Sequence, residues 1–102
     1  MYKKNLLISL ITFFYLSCPA DSEMDLGLEV FNNKAQCSAC HTLKSAGSKG
    51  NIGPNLDQLK PSIPQIINAV VNGIGVMQAW AGILTDEEIE AVAYYIFNST
   101  NK

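Results

Sequence analysis

Apolar residues fall into four patterns along this chain, and each predicts a different element. In residues 6–16 they form a run broken only by Ser9 and Thr12. From about residue 24 to 32, Leu26, Val30 and Phe31 give a partial stripe at helical spacing. Asp21, Glu23 and Asp25 suit the positive N-terminal end of that helix. From about 62 to 71, Ile63, Ile66, Ile67, Val70 and Val71 share one face. Ser62 can cap this second helix, Pro64 is tolerated in its first turn and Gly73 can end it. The last pattern runs through Ile89, Val92, Ala93 and Ile96, with Tyr95 beside them. Thr85-Asp86-Glu87-Glu88 reads as a capping box in front of it, and Leu84 and Ile89 are placed as a hydrophobic staple. Between the first two helices, Gly47, Gly50, Gly53 and Pro54 break any regular element, so residues 42–54 read as loop.

The first apolar run is not read as part of the fold. Lys3 and Lys4 precede it, Cys18-Pro19-Ala20 puts small residues after it, and Asp21-Ser22-Glu23 begins a polar segment. That is the layout of a secretory signal peptide over residues 1–20, cut after Ala20. The run is short for a transmembrane helix, and an uncleaved membrane anchor is the alternative. Cys18 also raises lipoprotein processing, but Tyr15-Leu16-Ser17 fits a lipobox poorly. Residues 21–102 then form a single small domain carrying five lysines against nine acids, a net charge of −4. An acidic domain of this kind disfavours nucleic acid as a partner. The acids around Glu88 read as a solvated, dipole-favoured helix start, and Lys44 and Lys49 as solvated surface. A core this small is marginal without a staple.

Cys37-Ser38-Ala39-Cys40-His41 supplies the candidate staple. A Cys-x-x-Cys-His pentad is the attachment signature of a c-type haem. Residues three and four apart on a helical turn share a face. Cys37 and Cys40 can therefore reach two vinyl groups along one porphyrin edge and form thioethers, with His41 then under the iron as proximal ligand. Three other readings compete. A redox dithiol needs no His41 and expects a βαβ setting. A zinc site needs four ligands; the pentad offers three, His41 is the only histidine, and the one other cysteine, Cys18, is in the leader. A surface disulfide leaves His41 unexplained. Export agrees with haem attachment, which in bacteria takes place outside the cytoplasm.

The sixth position on the iron decides between function classes. Left open, it binds gases or reacts with peroxide. Filled by a strong side chain, it leaves an electron carrier. Met1 lies in the leader and Met24 at the head of the first helix. Met77 follows the flexible Asn72-Gly73-Ile74-Gly75 and precedes Gln78-Ala79-Trp80. A loop methionine between two helices is an unusual core residue, and a His/Met pair is a standard haem ligation. A plain core role for Met77 is the alternative.

With these residues in view, the chain resembles the class I c-type cytochromes, especially the small soluble ones of bacteria. The likeness runs from Leu26 to Phe97. It takes in Gly27 and Phe31, the pentad, Gly53-Pro54-Asn55-Leu56, Asn72-Gly73-x-Gly75-x-Met77, and the closing Thr85-Asp86-Glu87-Glu88-Ile89 with Val92-Ala93-x-Tyr95-Ile96. The resemblance implies an all-α fold wrapped compactly around one covalently attached haem c, with the first and last helices crossing where Gly27 and Phe31 meet Val92 and Tyr95. It implies that the Pro54 carbonyl accepts a hydrogen bond from His41 Nδ1–H, and that Met77 is the sixth ligand. One departure stands out. Many relatives carry proline after the axial methionine, whereas this chain has Gln78, which should leave the loop more mobile. Trp80 sits where relatives often carry an aromatic, and it is read here as core.

The expected function is that of a monomeric periplasmic one-electron carrier serving transient redox donors and acceptors. No residue is assigned to bond-making catalysis, and a membrane is a partner only if the leader stays uncut. The alternatives are a haem subunit permanently bound to a larger dehydrogenase or oxidase, and a gas sensor or peroxidase with an open iron.

Overall fold

α1 (Pro19–Glu29) opens residues 19–102, the part of the chain that the computed structural model describes. The expected signal peptide therefore lies outside the described residues, apart from Pro19 and Ala20 in the first turn of α1. The helix continues past Glu29 as a π-helical turn, Val30–Lys34, closed by Ala35 N–H donating to the Val30 carbonyl at 2.9 Å. Val30 and Phe31 on this turn are wholly buried, as the apolar stripe predicts. Gln36 then takes a left-handed conformation, φ 51°. Side chains with a Cβ seldom adopt it, and it turns the chain sharply into Cys37.

Residues 42–54 are not all loop. Thr42–Leu43 (β1) and Ser48–Lys49 (β2) pair antiparallel in the register Thr42 to Lys49 and Leu43 to Ser48. A 3-10 turn, Lys44–Ala46, and Gly47 at φ 73° connect them. Strands of two residues are too short to carry an alternating pattern, so the sequence cannot announce them. Leu43 is wholly buried and anchors them in the core, and its N–H donates to Ser48 Oγ across the pair at 2.9 Å. A single turn of helix, α2 (Leu56–Leu59), follows. The Asn55 side chain caps it by accepting from Gln58 N–H.

α3 (Ile63–Asn72) and α4 (Asp86–Thr100) sit where their apolar patterns place them. Both begin with a capping box, Ser62 with Gln65 and Thr85 with Glu88. Ile66 and Val70 of α3 are buried, while Ile63, Ile67 and Val71 border the core. Leu84 and Ile89, the expected staple, are both buried in that core.

α4 packs on α1, α2 and α3. Its crossing with α1 is close because Gly27 has no side chain: a Cβ there would lie 2.3 Å from the Ala91 carbonyl oxygen and 2.4 Å from Tyr95 Cβ. One turn on, the rings of Phe31 and Tyr95 pack tilted, with centroids 6.2 Å apart. Tyr95 is thus the common neighbour of Gly27 and Phe31, while the expected Val92 lies wholly buried beside Ala91. Tyr95 OH also shares a 2.7 Å hydrogen bond with Ser45 Oγ, tying α4 to the turn between β1 and β2.

The acidic start of α4 divides. Asp86, Glu87 and Glu90 are exposed as expected, but Glu88 is buried. Its Oε1 accepts from Thr85 N–H at 2.9 Å, and its Oε2 forms an ion pair with Lys34 at the end of the π turn. The hydrogen bond from Lys34 is the main reason that the Glu88 carboxyl lies below its ordinary value, and the same contact raises Lys34. No helix among the described residues is long and apolar enough to cross a membrane.

Candidate functional site

The pentad forms one tight turn. Cys37–Ala39 is a 3-10 turn, and the Cys37 carbonyl accepts from Cys40 N–H at 3.1 Å and His41 N–H at 3.0 Å. Both cysteines are free thiols and half-buried. Burial, more than any neighbouring charge, pushes the Cys37 thiol up to about 11. Redox dithiols work through a lowered thiol, so this environment argues against a disulfide-exchange role. A protonated, partly buried thiol instead suits a residue that packs against an apolar ligand.

His41 is fixed from outside the pentad. Its Nδ1 donates to the Pro54 carbonyl at 2.8 Å, the bond that the resemblance implies. With Nδ1–H so engaged, Nε2 carries the lone pair and is the nitrogen available to a metal. Gly53 lies flat against the ring: a Cβ there would meet His41 Cε1 at 2.5 Å. The loop that delivers Gly53 and Pro54 is stitched back to the pentad, with Gly53 N–H on the Cys40 carbonyl at 2.8 Å and Ser48 Oγ on the His41 carbonyl at 2.8 Å. Gly50 packs behind Cys40, where a Cβ would lie 2.6 Å from the Cys40 carbonyl carbon. The packing roles of Gly50 and Gly53 escape a reading that takes them as loop breakers. Their position just after a Cys-x-x-Cys-His pentad and just before Pro54 was the available signal.

Met77 comes from the other side of the sequence, on the segment between α3 and α4. It is half-buried and packs against the core that Cys37 also borders. Its backbone exchanges two hydrogen bonds with Ile74, at 2.9 and 3.0 Å. Trp80 also borders the core, and its N–H donates to the Val70 carbonyl at 2.8 Å. The residues present suit a covalently held haem: two free thiols and an imidazole with one free nitrogen on a single turn, and a thioether on a pinned segment. Among the described residues no group of three or more His, Cys, Asp or Glu side chains is arranged to hold a bare metal ion.

The family model described as cytochrome C oxidase, cbb3-type, subunit III matches residues 22–96. The chain belongs to the c-type cytochrome family. The crystal structure of the c-type cytochrome SorU from Sinorhizobium meliloti superposes on this cytochrome with a TM-score of 0.75. The two are 49% identical, and the match covers 80% of this chain and 95% of that one. Cytochrome c6 of Tetradesmus obliquus is 32% identical over 90 residues, 78% of this chain and 94% of that protein. The chloroplastic cytochrome c6 of Chlamydomonas reinhardtii is 37% identical over 86 residues, and this cytochrome spans 54% of that protein's length. Haem binding and electron transfer thus belong to the family, and the fold is the cytochrome c fold.

Proposed function

We propose that this cytochrome is a one-electron carrier with a single haem c joined through Cys37 and Cys40 and held between His41 and Met77. The observation that carries the reading is the His41–Pro54 hydrogen bond, made on the same turn that presents both thiols. The bond holds the ring against Gly53 and leaves Nε2 as the free donor. A haem c supplies an iron that cycles between ferrous and ferric states. The chain's contribution is to set the ease of that cycle. The Met77 thioether is a soft, neutral donor that favours the reduced state and raises the potential. Apolar burial acts in the same direction, because it disfavours the added charge of the oxidised state.

The same reading includes export to the periplasm, with residues 1–20 removed as a signal peptide, and a monomer that meets its donor and acceptor transiently. Carrier encounters are small and short-lived. The family model's description, an oxidase subunit, supports a second reading in which the domain stays bound to a larger complex. Co-purification with a fixed partner would favour it.

The deciding experiment is production with a haem-attachment apparatus, followed by optical spectra of both oxidation states of the wild type and Met77→Ala. The expected result is covalent haem, a ferric near-infrared sulfur-to-iron band, and loss of that band with a lower midpoint potential in Met77→Ala. Colourless matured protein would remove the haem reading. Covalent haem without the band, with rapid carbon monoxide binding, would point to an open iron and a sensor or peroxidase.

A further inference from the structure

We propose that Gly73 is a positioning residue for Met77: the end of α3 sets the depth of the Met77 backbone, and only a glycine allows it. The proposal rests on the reading of Met77 as a ligand to the iron. Gly73 ends α3, its N–H donating to the Ala69 carbonyl at 2.8 Å, and it adopts φ 75° and ψ 167°. That region is essentially closed to residues with a Cβ.

The steric reason is independent of the torsional one. A Cβ at Gly73 would lie 2.7 Å from the Met77 carbonyl oxygen, 2.8 Å from the Ala79 nitrogen and 3.0 Å from the Gln78 carbonyl carbon. All three are backbone atoms, so no rotamer change relieves the contact. The segment cannot swing freely either. Ile74 N–H donates to the Met77 carbonyl at 3.0 Å and Met77 N–H to the Ile74 carbonyl at 2.9 Å, and Trp80 N–H returns the chain to Val70. Gly75 and Val76 form the tip of the turn, with Val76 93% exposed. Met77 is therefore seated from beneath by Gly73 and clamped from the side by Ile74. Any side chain at 73 pushes residues 77–79 away from α3 and withdraws the thioether from its seat.

Gly82 supplies the control. It too has a positive φ, 84°, but a Cβ there has open space. Gly73→Ala and Gly82→Ala, each made as holoprotein, are compared with wild type by the ferric near-infrared band, the midpoint potential and the rate at which imidazole displaces the sixth ligand. The expected result is a weakened or missing band, a lower midpoint and faster displacement in Gly73→Ala, with all three retained in Gly82→Ala. If the wild type shows the band and Gly73→Ala keeps band, midpoint and displacement rate, the positioning role is overturned while Met77 ligation stands. If the wild type lacks the band, the ligation reading fails and takes the proposal with it. Should Gly73→Ala give no holoprotein, Ile74→Pro, which removes the donor to the Met77 carbonyl, must weaken the band; a full band there overturns the seating argument.

Discussion

Gly27 and Tyr95 meet at the crossing of α1 and α4, where a Cβ on the glycine would sit 2.4 Å from Tyr95 Cβ. Two opposing terms act on Gly27→Ala. Helix propensity favours alanine by about 1 kcal/mol. Overpacking against a fixed backbone carbonyl and a buried side-chain root costs roughly 1–3 kcal/mol. The steric term wins, because both obstructing atoms belong to or adjoin the α4 backbone. Gly27→Ala holoprotein should unfold at a lower urea midpoint than wild type. An equal or higher midpoint would mean that the two helices can separate at little cost.

The Lys34–Glu88 ion pair predicts a pH dependence with two limbs. Glu88 is held below its ordinary 4.5, first by the hydrogen bond from Lys34 and then by the backbone at Thr85. A carboxyl lowered on folding contributes its full stability above the unfolded value and loses it as pH falls through the folded one. Lys34, raised from 10.5 by the same partner, contributes below its unfolded value and loses it as pH rises through the folded one. The pair is thus fully effective between the two ordinary values and fades on either side. Glu88→Gln keeps an acceptor for Thr85 N–H but removes the charge. Its thermal midpoint should fall less steeply with acid than that of wild type, most clearly at low salt, because the Lys34 side chain is 48% exposed and screened. Parallel acid limbs would show that the pair does not couple to folding.

On the proposed reading of Met77 as a ligand to the iron, Gln78→Pro should slow its displacement by cyanide. Gln78 is exposed, and none of the backbone hydrogen bonds of the 73–80 segment uses its N–H, so proline removes no bond. Proline restricts the displaced state, an effect of ~0.4–1 kcal/mol or roughly two- to five-fold in rate. The effect stays small because the Ile74–Met77 bonds already tie the segment that the sequence alone reads as mobile. Equal cyanide-binding rates in the two proteins would count against the argument.

The residues whose partners lie within one helix were legible from the chain. Thr85 and Glu88, Ser62 and Gly73, and the face Ile66–Val70 act over three to eleven positions, the range over which helical periodicity and capping chemistry operate. The pentad was legible for the same reason, since its spacing is itself the chemistry. Other features needed residues far apart in sequence. Glu88 looks like a cap and an exposed acid until Lys34, 54 positions earlier, arrives beside it. The short strands β1 and β2 have no pattern of their own and exist because Leu43 is buried.

Helical periodicity, capping and the Cys-x-x-Cys-His spacing determined three helices, the family and the candidate ligands, because each depends on bonds and contacts made along the local chain. The tertiary structure decided how those ligands are held. The orientation of the His41 ring comes from Pro54 and Gly53, the close approach of the Met77 backbone to the end of α3 from Gly73, and the α1–α4 crossing from the bare backbone of Gly27. These are close approaches between segments that only packing brings together, and steric exclusion at such contacts leaves no periodic trace in a sequence.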